Sequence, residues 1–173
     1  EERNPSIMAA DTMFQVARLV GDTLKEVIRT QGDGGPESES PFGATLIVGG
    51  QIAGMEPRLF LVYPEGNFIE ASDETPFFQI GETKYGRPIL LRAFSPEMTF
   101  EEAVKLLYVS FDSTLKGNLS VGMPLDLQTI ETDTCKVADK RRVEENDPYF
   151  TTISSRWGDA LKLAFNSLPD YEF

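Results

Sequence analysis

Few residues in this chain have side chains suited to catalysis, and the absences narrow the field first. There is no histidine, which excludes Ser-His-Asp and Cys-His nucleophilic catalysis and argues against a zinc site. The one cysteine, Cys135, cannot close an internal bridge; it is expected to be a small buried hydrophobe, with nothing nearby to make it a thiolate. The carboxylates show no ligand spacing of the EF-hand kind, so no metal and no cofactor are expected. Asp112 falls inside a helical pattern as a solvated residue, and Asp126 alternates outward on a strand. Two polar turns remain, Gly81–Glu82 within IGETKYG and Asn118, Ser120 and Gly122 within NLSVG. On residues alone they are a strand-to-helix turn and a glycine-rich helix exit.

Composition sets the surroundings of these turns. The 173 residues suit one domain, 1–173, with its own core, and 40% hydrophobic content is enough to fill it. Against 16 basic residues stand 28 acidic ones, a formal charge of -12. Such a surface repels polyanions, so neither nucleic acid nor an anionic membrane is an expected partner. A lone cysteine and the absence of an apolar run of about 20 residues fit a soluble cytoplasmic protein. The chain opens Glu1-Glu2-Arg3 and runs at once into helical periodicity, as if beginning inside a domain.

The elements that must position the turns follow from periodicity and caps. Apolar residues at spacings of three and four from Met13 to Ile28 predict a helix capped by Asp11 and stopped at Gly32, with a loop over Gly32–Pro41. Strands are expected at Phe42–Gln51, Arg58–Tyr63, Asn67–Ala71 and Pro76–Ile80, an antiparallel meander with a tight turn at Pro64-Glu65-Gly66. A short helix over Tyr85–Ala93 precedes a stronger one. Thr99 and Glu102 form a capping box for it, Phe100, Ala103, Val104, Leu107 and Phe111 line its buried face, and Gly117 and Asn118 end it. Pro124–Thr132 alternates as a half-buried strand, and Lys136–Glu145 reads as a solvated strand edge or turn. Asp147 and Pro148 open a last helix with the stripe Phe150, Ile153, Trp157, Leu161, Phe165 and Leu168. Helices packed on antiparallel sheet give an α+β class.

This order of elements resembles the proteasome-type N-terminal-nucleophile hydrolases from their second helix onward. The words GGQIAG, YPEGNFIEA and QIGETKYGRPIL are closer to the Anbu (ancestral beta subunit) family than to true proteasome subunits. The resemblance implies a four-layer αββα sandwich, with this chain the carboxy-terminal portion and the front strands missing from it. It implies an N-terminal threonine that attacks a carbonyl while its own α-amine, a lysine and an aspartate handle the proton. All three would precede Glu1, so the chain as given lacks the nucleophile. Gly81 then matches a turn whose N–H helps hold the oxyanion, with Glu82 where a serine is common. Asn118 matches an aspartate that orients the nucleophile, and Ser120 and Gly122 match a serine-glycine pair beside it.

The implied partners are copies of the same chain, in a ring or an open helical ring, and a peptide or amide substrate. The interface helices would be Asp11–Gln31 and Thr99–Leu115. Two other functions stay open: a non-catalytic structural ring subunit, or a small-molecule-binding α+β domain unrelated to proteases.

Overall fold

A computed structural model describes residues 6–31 and 43–173. The expected loop over Gly32–Pro41, the helix stop at Gly32 and the strand start at Phe42 lie outside the described residues. The chain divides into two compact units, residues 1–80 with 130–136, and residues 81–129 with 137–173.

The first unit contains helix α1 (Met13–Gln31) and a three-stranded antiparallel sheet in the order β1 (Leu46–Gly50), β2 (Arg58–Val62), β3 (Phe68–Glu70). The cap of α1 is Thr12 and not Asp11: Thr12 Oγ1 accepts from the Gln15 N–H at 3.2 Å, and Gln15 Oε1 accepts from the Asp11 N–H at 2.8 Å. A threonine followed three residues later by glutamine is itself a start signal. Met13, Ala17 and Phe60 form the core, and Val16, Val48, Ile52 and Phe68 pack around it. The turn between β2 and β3 forms as expected. Gly66 takes φ +88°, and its N–H donates to the Tyr63 carbonyl at 2.9 Å. Arg58 and Glu70 pair across the sheet. The expected strand at Pro76–Ile80 does not form, and β1 runs only from Leu46 to Gly50. Two phenylalanines gave that segment strand composition, but among the described residues it joins neither sheet.

Gln51, just past β1, holds a distant loop. Its side chain donates to the Met55 carbonyl (2.7 Å) and to Asp133 Oδ1 (2.8 Å), and accepts from the Asp133 N–H (2.7 Å). Asp133 and Cys135 in that loop both have positive φ, and Cys135 is exposed, not buried as expected.

The second unit contains α2 (Arg87–Ala93), α3 (Phe100–Gly117), β4 (Leu125–Ile130) paired with β5 (Val137–Val143), and α4 (Pro148–Asn166). Its core is Tyr108, Val143 and Phe150, with Val104, Leu115, Leu125, Leu127 and Ile153 packed against them. Thr99 and Glu102 make the expected reciprocal cap, and Asp147 caps α4 through the Phe150 N–H at 2.9 Å. The charged segment Lys136–Glu145 is a true strand. Val143 at its end is fully buried, and Arg142 meets Asp126 of β4 at 3.0 Å on the solvent side, so Asp126 is one half of an ion pair.

The buried face of α3 differs from expectation. Phe100, Leu107 and Phe111 remain 51%, 38% and 41% exposed, whereas Leu106, Tyr108, Val109, Ser110, Asp112 and Thr114 are buried. Asp112, expected in solvent, is therefore inside, and it accepts from Lys116 Nζ at 2.9 Å. The stripe of α4 is covered only in its first half; Leu161, Phe165 and Leu168 are exposed. Among the described residues no helix is long and apolar enough to cross a membrane, and no cluster of three or more potential ligands is placed to hold a metal ion.

Candidate functional site

The two polar turns singled out in the sequence meet. The segment Gly81–Gly86 lies along the last two turns of α3, and its fit there depends on glycine. A Cβ on Gly86 would stand 2.3 Å from Ser110 Oγ and 3.1 Å from Thr114 Oγ1, so the backbone seats directly on two small buried polar residues. A Cβ on Gly117 would stand 2.6 Å from the Tyr85 ring, so that ring lies on bare helix backbone. This close seating explains why α3 buries Ser110 and Thr114 here and not its apolar row. Thr114 satisfies its own hydroxyl by donating to the Ser110 carbonyl at 3.0 Å.

At the end of this contact Asn118, the residue that caps α3, joins the two turns. Its Nδ2 donates to Glu82 Oε2 at 2.6 Å. Its Oδ1 accepts from both the Ser120 N–H and the Ser120 hydroxyl, each at 2.8 Å. A backbone N–H on one side and a carboxylate on the other fix which end of the amide is which. The second Glu82 oxygen, Oε1, accepts from the Lys84 N–H at 2.8 Å. The Lys84 N–H first, and then the Asn118 amide, hold the Glu82 carboxyl below the ordinary glutamate value, so it is an anion at neutral pH.

Gly81 begins the clasp with φ +78° and open space around it. Its N–H has no hydrogen-bond partner among the described residues. A free N–H in a left-handed turn is a competent donor to a developing oxyanion. The neighbouring Glu82 carboxylate works against that role through its charge, which the Asn118 and Lys84 donors partly offset. Gly122 is exposed, touches nothing through a would-be Cβ and takes no part in the hydrogen-bond network. Gly81, Glu82, Asn118 and Ser120 are thus brought together, and Gly122 is not.

Sequence reasoning missed the supports of the clasp. Tyr85, Ser110 and Thr114 position it, and the signal was present in Gly86 and Gly117, the second of which local rules account for as a helix stop alone. It also missed Lys116, which reaches both Asp112 and Ser154 Oγ of α4 (3.0 Å) and ties the end of α3 to that helix. Here the signal was the spacing of four between Asp112 and Lys116.

Comparison with known proteins places this arrangement in a family. Residues 28–130 match the proteasome subunit family. The structure of Anbu from Hyphomicrobium sp. strain MC1 is 46% identical with a TM-score of 0.89; the match covers 100% of this chain and 71% of that one. Anbu (ancestral beta-subunit) from Yersinia bercovieri is 41% identical with a TM-score of 0.88, over 97% of this chain and 69% of that one. A third structure, described as the helical assembly of the Anbu complex from Pseudomonas aeruginosa, is 38% identical with a TM-score of 0.82, over 95% of this chain and 71% of that one. No curated protein matches the chain. The chain has the α+β fold of the proteasome type, and it belongs to the Anbu family of proteasome subunits.

Proposed function

We propose that this chain forms part of a subunit of a proteasome-like assembly that hydrolyses peptide or amide bonds with an N-terminal threonine. The observation that carries the reading is the clasp: Asn118 binds Glu82 and Ser120 at once, leaving the Gly81 N–H free beside them. Asn118 and Ser120 act as positioning residues for the nucleophile, which the 173 residues do not supply at the family's position. Gly81 contributes the oxyanion donor, and Glu82 fixes the turn that presents it.

Assembly is the second half of the proposal. The P. aeruginosa relative is described as a helical assembly. On this chain the exposed row Phe100, Leu107 and Phe111 of α3 offers an apolar helix face of the kind such contacts use. The compartment we propose is the cytoplasm, where the exposed Cys135 stays reduced.

One observation favours a scaffold reading in which the same subunit assembles without catalysis. Glu82 puts a fixed anion next to the proposed oxyanion donor. The two readings separate in a labelling experiment on the whole protein, using a β-lactone that acylates nucleophilic threonine and locating the acyl group by mass spectrometry. Hydrolase chemistry gives one adduct on an N-terminal threonine and slower labelling in Asn118→Ala. No adduct at any threonine would leave the scaffold as the function.

A further inference from the structure

A second surface is built around α2. Thr83, Lys84, Arg87, Pro88, Leu91 and Arg92 line a groove of about 390 Å³. Three of the six are cations, and none of the three forms an ion pair among the described residues, whereas Arg58, Lys116, Arg141 and Arg142 all do. In a chain with 28 acidic and 16 basic residues, three neighbouring cations run against the composition, although Lys84 also feels the charge of the nearby Glu82 carboxylate. Between them lie Pro88 and Leu91, the latter 65% exposed, so the groove has both positive charge and an apolar floor. It suits an occupant carrying carboxylates and apolar rings together.

Such a segment exists on the same chain. After α4, residues Pro169–Phe173 read PDYEF, with Asp170 and Glu172 alternating with Tyr171 and Phe173. All five residues are exposed, Tyr171 at 80%. The rings of Tyr171 and Phe173 touch with centroids 5.1 Å apart, so both lie on one side of the segment.

We infer that Asp170–Phe173 of one copy docks in the Lys84–Arg87–Arg92 groove of the next. Its rings lie on Pro88 and Leu91, and its carboxylates face the three cations. The groove and the segment are different places on one chain, so copies joined head to tail through them make a heterologous contact. Repeated, that contact propagates into a ring or an open helix, whereas two copies exchanging segments reciprocally would stop at a two-fold dimer. A four-residue segment buries well under the roughly 1,000 Å² a stable interface needs, so it sets register within a larger helix-to-helix contact. The inference rests on the assembly half of the proposal above.

The test is particle mass against concentration for the whole protein, by sedimentation velocity, with circular dichroism confirming the fold of each variant. Three variants are needed: Arg87→Glu with Arg92→Glu, Asp170→Lys with Glu172→Lys, and all four together. Each pair alone should raise the concentration for half-assembly by on the order of tenfold, and the combined variant should recover most of that loss. Wild-type assembly that neither pair disturbs would overturn this contact while leaving assembly intact. A combined variant as weak as the two losses added would overturn direct pairing. Variants that change only the protease sensitivity of residues 169–173 in single protomers would put the segment on its own chain's groove and end the inference. A wild type that never exceeds one protomer would sink both this contact and the assembly reading.

Discussion

Two glycines inside long helices should respond to the same substitution with opposite signs. Gly21 lies in α1 where the helix crosses the β2–β3 turn, and a Cβ there would stand 2.2 Å from the Gly66 carbonyl oxygen. Ordinary contact begins near 3.4 Å, so α1 and the turn would have to separate by about 1 Å in a close-packed interior. Gly66 cannot easily yield, since its φ of +88° and its N–H bond to Tyr63 hold the turn. Overpacking of this kind costs about 1–3 kcal/mol, while alanine in place of glycine returns about 1 kcal/mol of helix propensity. Gly21→Ala should therefore destabilise by up to about 2 kcal/mol, a fall in Tm of up to roughly 8 °C for a chain of this size. Gly158 in α4 has no atom within 4 Å of its would-be Cβ. Gly158→Ala should keep the propensity gain and raise stability by up to about 1 kcal/mol. Thermal and urea unfolding of the two variants beside the wild type measure the contrast. Equal shifts of the same sign would refute the claim that the Gly21–Gly66 approach decides how α1 seats on the sheet.

Other predictions concern caps and the clasp. Asp147→Ala should cost about 1 kcal/mol by removing the α4 cap, whereas Asp147→Asn should lose less because asparagine also caps; urea midpoints give both values. The Phe150 N–H, and then Arg141, hold the Asp147 carboxyl below the ordinary aspartate value. Its contribution is thus full above about pH 4 and disappears as pH falls through its folded value, a loss Asp147→Asn should not show. Asn118→Asp keeps the acceptor for Ser120 but sets a second carboxylate against Glu82, which Nδ2 now meets at 2.6 Å. The clasp should then open at neutral pH and re-form on acidification, and adding Glu82→Gln should close it again at pH 7; amide exchange at Gly81–Lys84 reports the state.

Much of the frame was legible because it obeys local rules. The Thr99–Glu102 box, the Asp147-Pro148 start and the Pro64–Gly66 turn each formed where their residue types require. What the sequence obscured was set by partners distant along the chain. The apolar row of α3 appeared to be its core side, yet the Gly86 backbone packs closely onto the small side chains of Ser110 and Thr114. Asp112 was misread as well: its side chain is buried, and the exposed Lys116 four residues on reaches back from the surface to pair with it. The charges of Lys136–Glu145 left that segment open between a strand edge and a turn, and the strand Val137–Val143 is decided by its pairing with β4, where Arg142 meets Asp126. At the site, the residue types at Gly81, Glu82, Asn118 and Ser120 were visible, but their meeting depends on a pair 36 positions apart that no local pattern encodes.

The central claim is that the clasp serves a threonine nucleophile, and acylation of the whole protein by a β-lactone tests it most directly. The account predicts one adduct on an N-terminal threonine, with the labelling rate reduced on the order of 100-fold in Asn118→Ala, as misplacement by about 1 Å would produce. Adducts confined to surface residues, or a threonine adduct formed at the same rate in both proteins, would contradict it.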